Sequence, residues 1–156
     1  MFAFSQHPYG HMLLVRMVDV VDDTVLVRKS VLSPLLADIA STFSSKAASK
    51  IILAILAPHD SHYFDASDLD ILKAAAPSSK KDPELRRKQL LDFIKPRIMK
   101  HASAHALDMS ISPTSSQVLG QMIKLWGSEA PELVESVAKA CAANCGVSLS
   151  HFPMSH

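Results

Sequence analysis

The sequence predicts an all-α fold, a set of stacked helix pairs or triplets forming part of a curved solenoid. Composition and pattern both lead there. Leu, Ala, Ser, Lys and Met are plentiful while glycine occurs only four times. No segment alternates apolar and polar residues with the period of two that a half-buried strand requires. A helical stretch also recurs: residues 10–15 (GHMLLV) and 48–53 (ASKIIL) occupy equivalent places 38 positions apart, with a third copy at 115–120 (SSQVLG). That spacing is close to the length of a helical-repeat unit. With 48% hydrophobic and 20% charged residues among 156, the chain can bury a core and is not disordered.

Taken in order, Pro8 fixes φ and Gly10 relaxes the opening turn. Residues 10–21 then form a first helix, rich in Met and Leu and without internal proline. Asp22, Asp23 and Thr24 end it and offer caps to a second helix running through VLVRKSVL. Ser33-Pro34 reads as a restart, with serine at the N-cap and proline at the first helical position; it opens a third helix, LLADIASTF. Ser45 begins the next, KAASKIILAILA, which Pro58 ends. An insertion follows: a polar PHDSHYF loop, a short helix over residues 65–75, and a Pro77-Ser78-Ser79-Lys80-Lys81 loop. Asp82-Pro83-Glu84 caps a long charged helix, with acidic residues early as the helix dipole prefers. Pro96 is expected to interrupt it, and residues 97–107 to resume. Ser112-Pro113 restarts a helix that Gly127 closes, and a last helix over residues 131–144 stops at Asn144 and Gly146. The chain starts partway into a repeat, so it is expected to be a fragment of a longer solenoid.

The stretch HPYGHMLLVRMVDVVDDT, residues 7–24, resembles a pumilio-type repeat of the divergent Puf-A/penguin (pumilio homology, CPL-domain) family. Members of that family show a similar H-x-Y-G-H helix followed by a V-D-D-T-x-L-V restart. The resemblance continues through SHYFDASDLDIL and SKKDPELRRKQLLDFI to about residue 145. It implies a pumilio-type α-helical repeat solenoid: repeat helices over 1–57, an inserted loop and short helix over 58–82, further repeat helices over 83–146, and a tail over 147–156. It also implies a nucleolar or nuclear protein of ribosome biogenesis and precursor rRNA processing that binds structured or single-stranded nucleic acid with little sequence preference, through basic surfaces. Some members repress a localised mRNA, so translational control is a further expectation.

Pumilio repeats assign base contacts to positions n, n+1 and n+4 of a helix, which share one arc. The trios here are His11, Met12 and Val15; Ser49, Lys50 and Leu53; Ser116, Gln117 and Gly120. Edge reading wants amides, hydroxyls or carboxylates, and stacking wants an aromatic ring or Arg. Val15, Leu53 and Gly120 offer no side-chain hydrogen bond, so base-specific reading is not expected. Charge remains. Lys46, Ser49 and Lys50 share one arc, Gln117, Gln121 and Lys124 another. Arg16 and Arg28 flank the first helix, and Lys80, Lys81, Arg86, Arg87 and Lys88 cluster near the insertion. Phosphate contacts need only such donors. Each cation could equally be the solvated face of an amphipathic helix, and the KK and RRK pairs could serve nuclear import.

The net charge is +1, so nucleic-acid binding requires basic residues segregated onto a surface. The resemblance implies RNA (precursor rRNA or mRNA) as a partner, with DNA a second candidate, and ribosome-assembly proteins if the helices act as an interaction scaffold. No membrane partner is expected: the most apolar run, residues 51–57, is too short to span a bilayer. Neither His7/His11 nor His101/His105 has a third ligand nearby in sequence, and HASAH lacks the glutamate of a metalloprotease helix, so no metal is expected. Without a G-x-S-x-G elbow or a phosphate loop, no enzyme and no cofactor are expected. Cys141 and Cys145 sit one helical turn apart, awkward for a disulfide, and read as buried or half-buried thiols.

Overall fold

The computed structural model describes residues 5, 7, 9–74 and 80–145. The Pro8 turn, residues 77–79 of the loop, Gly146 and the tail lie outside them. Helix α1 (Gly10–Val20) begins on the His7 ring, whose Nδ1 accepts from the N–H groups of Tyr9 and Gly10 at 3.2 Å each. First-turn donors have no partner within a helix, and the imidazole supplies one. Asp23 caps α2 (Thr24–Val27), accepting from the Val25 and Leu26 N–H groups at 3.0 Å each.

The expected restart at Ser33-Pro34 does not occur. The chain passes from α2 through one π-turn, Arg28–Leu32, into α3 (Ser33–Ala37), and Ser33 is itself helical with no capping role. Pro34 lacks an N–H, and its ring crowds the carbonyl four residues back. Widening the turn, with Ser33 N–H donating to Arg28 O, accommodates the ring without breaking the helix. The break falls instead inside LLADIASTF. Asp38 (φ −128°, ψ 73°) accepts from the Ser41 N–H at 3.1 Å and starts α4 (Ile39–Ser44). A local side-chain cap has overridden a run of helix formers.

Ser45 caps α5 (Lys46–Leu56), and Asp65 starts α6 (Ala66–Ala74), its Oδ1 accepting from the Asp68 N–H at 2.9 Å. Asp82 caps α7 (Pro83–Ala104), 22 residues that continue uninterrupted past Pro96, contrary to expectation. Pro96 leaves the Asp92 carbonyl without an intrahelical donor, but both residues are exposed, so solvent can serve that carbonyl. Ile94 and Ile98, each 0% exposed, hold the helix to the core across the proline. The chain breaks at His105 instead, then forms α8 (Ala106–Ile111), α9 (Pro113–Trp126), capped by Ser112, and α10 (Pro131–Cys145).

The three copies of the repeated segment become α1, α5 and α9, which pack side by side in that order. Helix α7 lies against α2, the π-turn, α3 and α5, and α10 closes on α7 and α8. Leu14, Leu32, Phe43, Ile51, Leu90 and Ile94 belong to one contiguous core. Buried hydroxyls inside it are satisfied, as burial demands: Thr42 donates to Leu35 O at 2.8 Å and Ser115 to Phe43 O at 3.2 Å, the latter fastening α9 to α4. Cys141 departs from expectation and is exposed, because the sole fully buried hydrophobic residue described on α10 is Leu133.

Candidate nucleic-acid interface

Packing of the repeat helices decides which side chains can meet a ligand. His11, Met12 and Val15 are 6%, 8% and 1% exposed, and Ser49 and Leu53 1% each. Two of the three trios are thus largely inside the molecule. Only the third keeps an exposed surface, where Gln117 and Gly120 face solvent and a Cβ at Gly120 would meet nothing within 4 Å.

Many of the candidate cations are fasteners of the fold. Arg16 donates to Asp19 Oδ2 at 2.8 Å and to the Leu72 carbonyl at 2.7 Å, anchoring α6 on α1. Arg28 donates to the Gln89 carbonyl at 2.7 Å and lies 5.5 Å from the Phe93 ring centroid. Lys50 joins α5 to α6 through Asp68 at 2.5 Å. Lys81 donates to Gln89 Oε1 at 2.6 Å. Ser49 is buried and donates to Lys46 O, and Gln121 is buried and donates to the Tyr63 hydroxyl at 2.6 Å.

The RRK segment divides by helical register. Arg86 is buried, donates to the Asp19 carbonyl and lies 3.5 Å from the Asp22 carboxylate. Arg87 donates to the Ile55 and Leu56 carbonyls at 3.0 and 2.9 Å. These carbonyls close α1 and α5, where a helix has acceptors without partners and the negative end of its dipole. Two successive arginines thus cap two adjacent repeat helices. The Asp22 carboxylate also accepts from the Lys80 and Lys81 backbone N–H groups at 2.8 and 3.2 Å, offsetting part of the local positive charge.

Lys46, Lys80, Lys88, Lys124 and Gln117 remain exposed, and none of these lysines has a carboxylate partner among the described residues. Lys29, Arg97 and Lys100, not singled out from the sequence, are exposed as well. Arg97 lies 5.3 Å from the Phe93 ring centroid that Arg28 also approaches. Its four-residue spacing from Phe93 was the available signal. Lys46, Ser49, Lys50 and Gln117 come together with His62 and Tyr63 around an open cleft of about 300 Å³.

Among the described residues no three His, Cys, Asp or Glu side chains gather as a metal site, and no helix is long and apolar enough to cross a membrane. His101, beside Phe43 and His105, has its pKa lowered by burial and then by the charge of His105.

The CPL (NUC119) domain profile matches residues 44–151. Human Pumilio homolog 3 is 31% identical over 118 residues, 72% of this chain and 18% of that protein. Pumilio homology domain family member 6 of Schizosaccharomyces pombe is 30% identical over 145 residues, 90% of this chain and 23% of the relative. The chain therefore spans about a fifth of the length of these curated relatives. The crystal structure of human Puf-A in complex with DNA matches with a TM-score of 0.73 and 25% identity, covering 78% of this chain and 24% of that one. The helical stack is thus a pumilio-type repeat solenoid, and the chain belongs to the CPL (NUC119) domain family shared with the Puf-A and penguin proteins.

Proposed function

We propose that this chain binds nucleic acid chiefly through phosphate contacts, with little sequence preference, within a nucleolar or nuclear protein of ribosome biogenesis and precursor rRNA processing. The observation that carries the reading is the contrast between the buried trio positions His11, Met12, Val15, Ser49 and Leu53 and the exposed Lys46, Lys80, Lys88 and Lys124. Buried edge-reading positions remove base discrimination, while ammonium groups in water bind any phosphate backbone. The likeness to human Puf-A, solved with DNA, supports nucleic acid as the partner class. RNA is the partner that ribosome biogenesis requires, and repression of an mRNA would use the same contacts on another RNA.

A second reading, a scaffold for ribosome-assembly proteins, is favoured by the net charge of +1 and by a groove of about 730 Å³ between α7 and α10. Pro96, Met99 and Ala130 give that groove apolar walls, and the Lys95–Glu129 pair at 2.6 Å lies along it.

Titration with unrelated RNA sequences at two salt concentrations separates the readings. Phosphate binding gives equal affinities and a steep salt dependence. Joint replacement of Lys46, Lys80, Lys88 and Lys124 by Ala then lowers the log–log slope by about 0.7 per lost contact on single strands. Absence of binding, with capture of assembly proteins, supports the scaffold. Arg86 and Arg87 are unsuitable for this test, since their loss uncaps two helices.

A further inference from the structure

We infer that the groove between α7 and the start of α10 is a docking site for a short, arginine-bearing segment of a partner protein. The inference rests on the scaffold reading and names the kind of segment that the surface takes. None of Lys46, Lys80, Lys88 and Lys124 lines this groove, so it is separate from the lysines assigned to phosphate.

One wall is a single stripe of α7, where Asp92, Pro96, Met99 and Ser103 recur at three- and four-residue spacing. The other wall is the turn before α10 together with that helix's first residues. The Glu129 N–H donates to the Trp126 carbonyl at 2.9 Å and the Leu133 N–H to the Ala130 carbonyl at 3.1 Å. Leu133, 0% exposed, pins this wall to the core, so the groove keeps its shape without an occupant. Pro96, Met99, Ala130 and Pro131 all retain surface in contact with solvent. From Asp92 to Ser103 the helix rises about 16 Å, room for about five extended residues.

Charge complementarity identifies the occupant. Asp92 and Glu132 are exposed and have no ion-pair partner among the described residues. Lys95 meets Oε2 of Glu129 at 2.6 Å, and its ammonium also lies 5.4 Å from the Trp126 ring centroid. The pair sets Glu129 beside the Asp92–Lys95 turn, so carboxylates dominate that end of the groove. Pro96 adds one more acceptor there, the Asp92 carbonyl without an intrahelical donor. Such an end repels phosphate and attracts a cation. A guanidinium suits it better than an ammonium, because five donors in one plane can serve several oxygens at once. The aliphatic stem of an arginine can lie on Pro96 and Met99, as long basic side chains do on apolar surface. Lys100 is exposed, lacks a carboxylate partner among the described residues and stands about 12 Å along α7 from Asp92. A carboxylate about four extended residues from the arginine meets it, which fixes the direction of the segment.

The test titrates the 156-residue chain against a capped, fluorescent peptide, Leu-Arg-Leu-Ala-Leu-Glu, and against analogues with lysine or glutamine in place of arginine. Anisotropy gives the affinity, and the Met99 methyl resonance, assigned by its loss in Met99→Leu, gives the place. Affinity should fall from arginine to lysine to glutamine, and the arginine peptide should shift the Met99 methyl. Asp92→Asn and Glu132→Gln should each weaken that peptide about threefold, within the range of an exposed ion pair, and about tenfold together. Asp70→Asn, which removes an exposed carboxylate of α6, should leave it unchanged. No binding, equal affinity for the three peptides, an unmoved Met99 resonance or an equal loss in Asp70→Asn overturns the docking site. Capture of assembly proteins that is undiminished in the Asp92→Asn, Glu132→Gln double variant also overturns it, while leaving the scaffold reading on another face. A wild-type chain that captures no assembly protein, yet binds the arginine peptide at Met99, removes the scaffold reading and keeps the groove as a peptide site.

Discussion

Replacing Lys50 by Met separates a fastener of the fold from a contact to phosphate. The Lys50 and Asp68 side chains are 14% and 12% exposed, with Nζ and Oδ2 2.5 Å apart. Removing one member of such a pair strands the other charge in a poorly solvated place. For a buried pair that costs roughly 3–5 kcal/mol, and the residual exposure favours the lower end, about 3 kcal/mol. In a chain of this size about 2–4 °C of Tm follows each kcal/mol, so Lys50→Met should lower Tm by about 6–12 °C. Removing both charges, as Lys50→Met with Asp68→Leu, should recover most of that loss. Thermal and urea unfolding followed by circular dichroism gives the stabilities, and the double-mutant cycle gives the coupling. A single-variant cost below about 0.5 kcal/mol, the scale of an exposed pair, refutes the structural role. A stable double variant whose nucleic-acid affinity and salt slope have both fallen returns Lys50 to the phosphate contacts.

Gly120→Ala should stabilise the chain by about 1 kcal/mol, the helix-propensity difference, since the new Cβ meets nothing within 4 Å; urea unfolding checks it. Asp82→Ala removes the carboxylate that accepts from the Leu85 N–H at 2.9 Å and should cost about 1 kcal/mol in the same assay. Acid should weaken the fold through His101. Its pKa is lowered in the folded chain from 6.5, so on acidification the unfolded chain takes up this proton first. Stability then declines as pH falls below 6.5, and the decline ends once the folded ring is also protonated. His101→Phe, which keeps the edge contact with Phe43, should flatten that part of the pH–stability curve.

Helix formation was legible in the sequence where caps and periodicity agreed: Asp23, Ser45, Asp82 and Ser112 all start helices as read. The departures share a cause: local breaker chemistry competes with the core, which no local stretch of sequence displays. Pro34 and Pro96 looked like boundaries, yet Val31, Leu32 and Leu35 around the first, and Ile94 and Ile98 around the second, are each 0% exposed. Burial of those side chains outweighs one missing backbone donor. Asp38 erred the other way, an aspartate inside a good helical run that captured the Ser41 N–H. In the candidate site, the density of basic residues suggested a patch, whereas register determined which of them reach solvent. Leu90, Ile94, Ile98 and Ala102 mark a buried line at four-residue spacing, and one step back along it is Arg86. That signal was present in the sequence. The carbonyls that Arg87 meets, 31 and 32 residues away, were not, because nothing local specifies where another helix ends.

The paired arginines also bear on the order in which the chain folds. Arg86 reaches a carbonyl 67 positions earlier and Arg87 one 32 positions earlier, so both contacts close long loops. Helices α1 and α5 can form and meet beforehand, but their final carbonyls lack these donors until α7 docks. Long-range closure is the slow part of small-domain folding, which makes arrival of α7 the step that locks the repeat spacing. Trp126, the single tryptophan, lies 5.4 Å from the Lys95 ammonium of α7 and can report that arrival in stopped-flow refolding. An Arg87→Met variant that refolds at the wild-type rate but unfolds faster would place this clasp after the rate-limiting barrier.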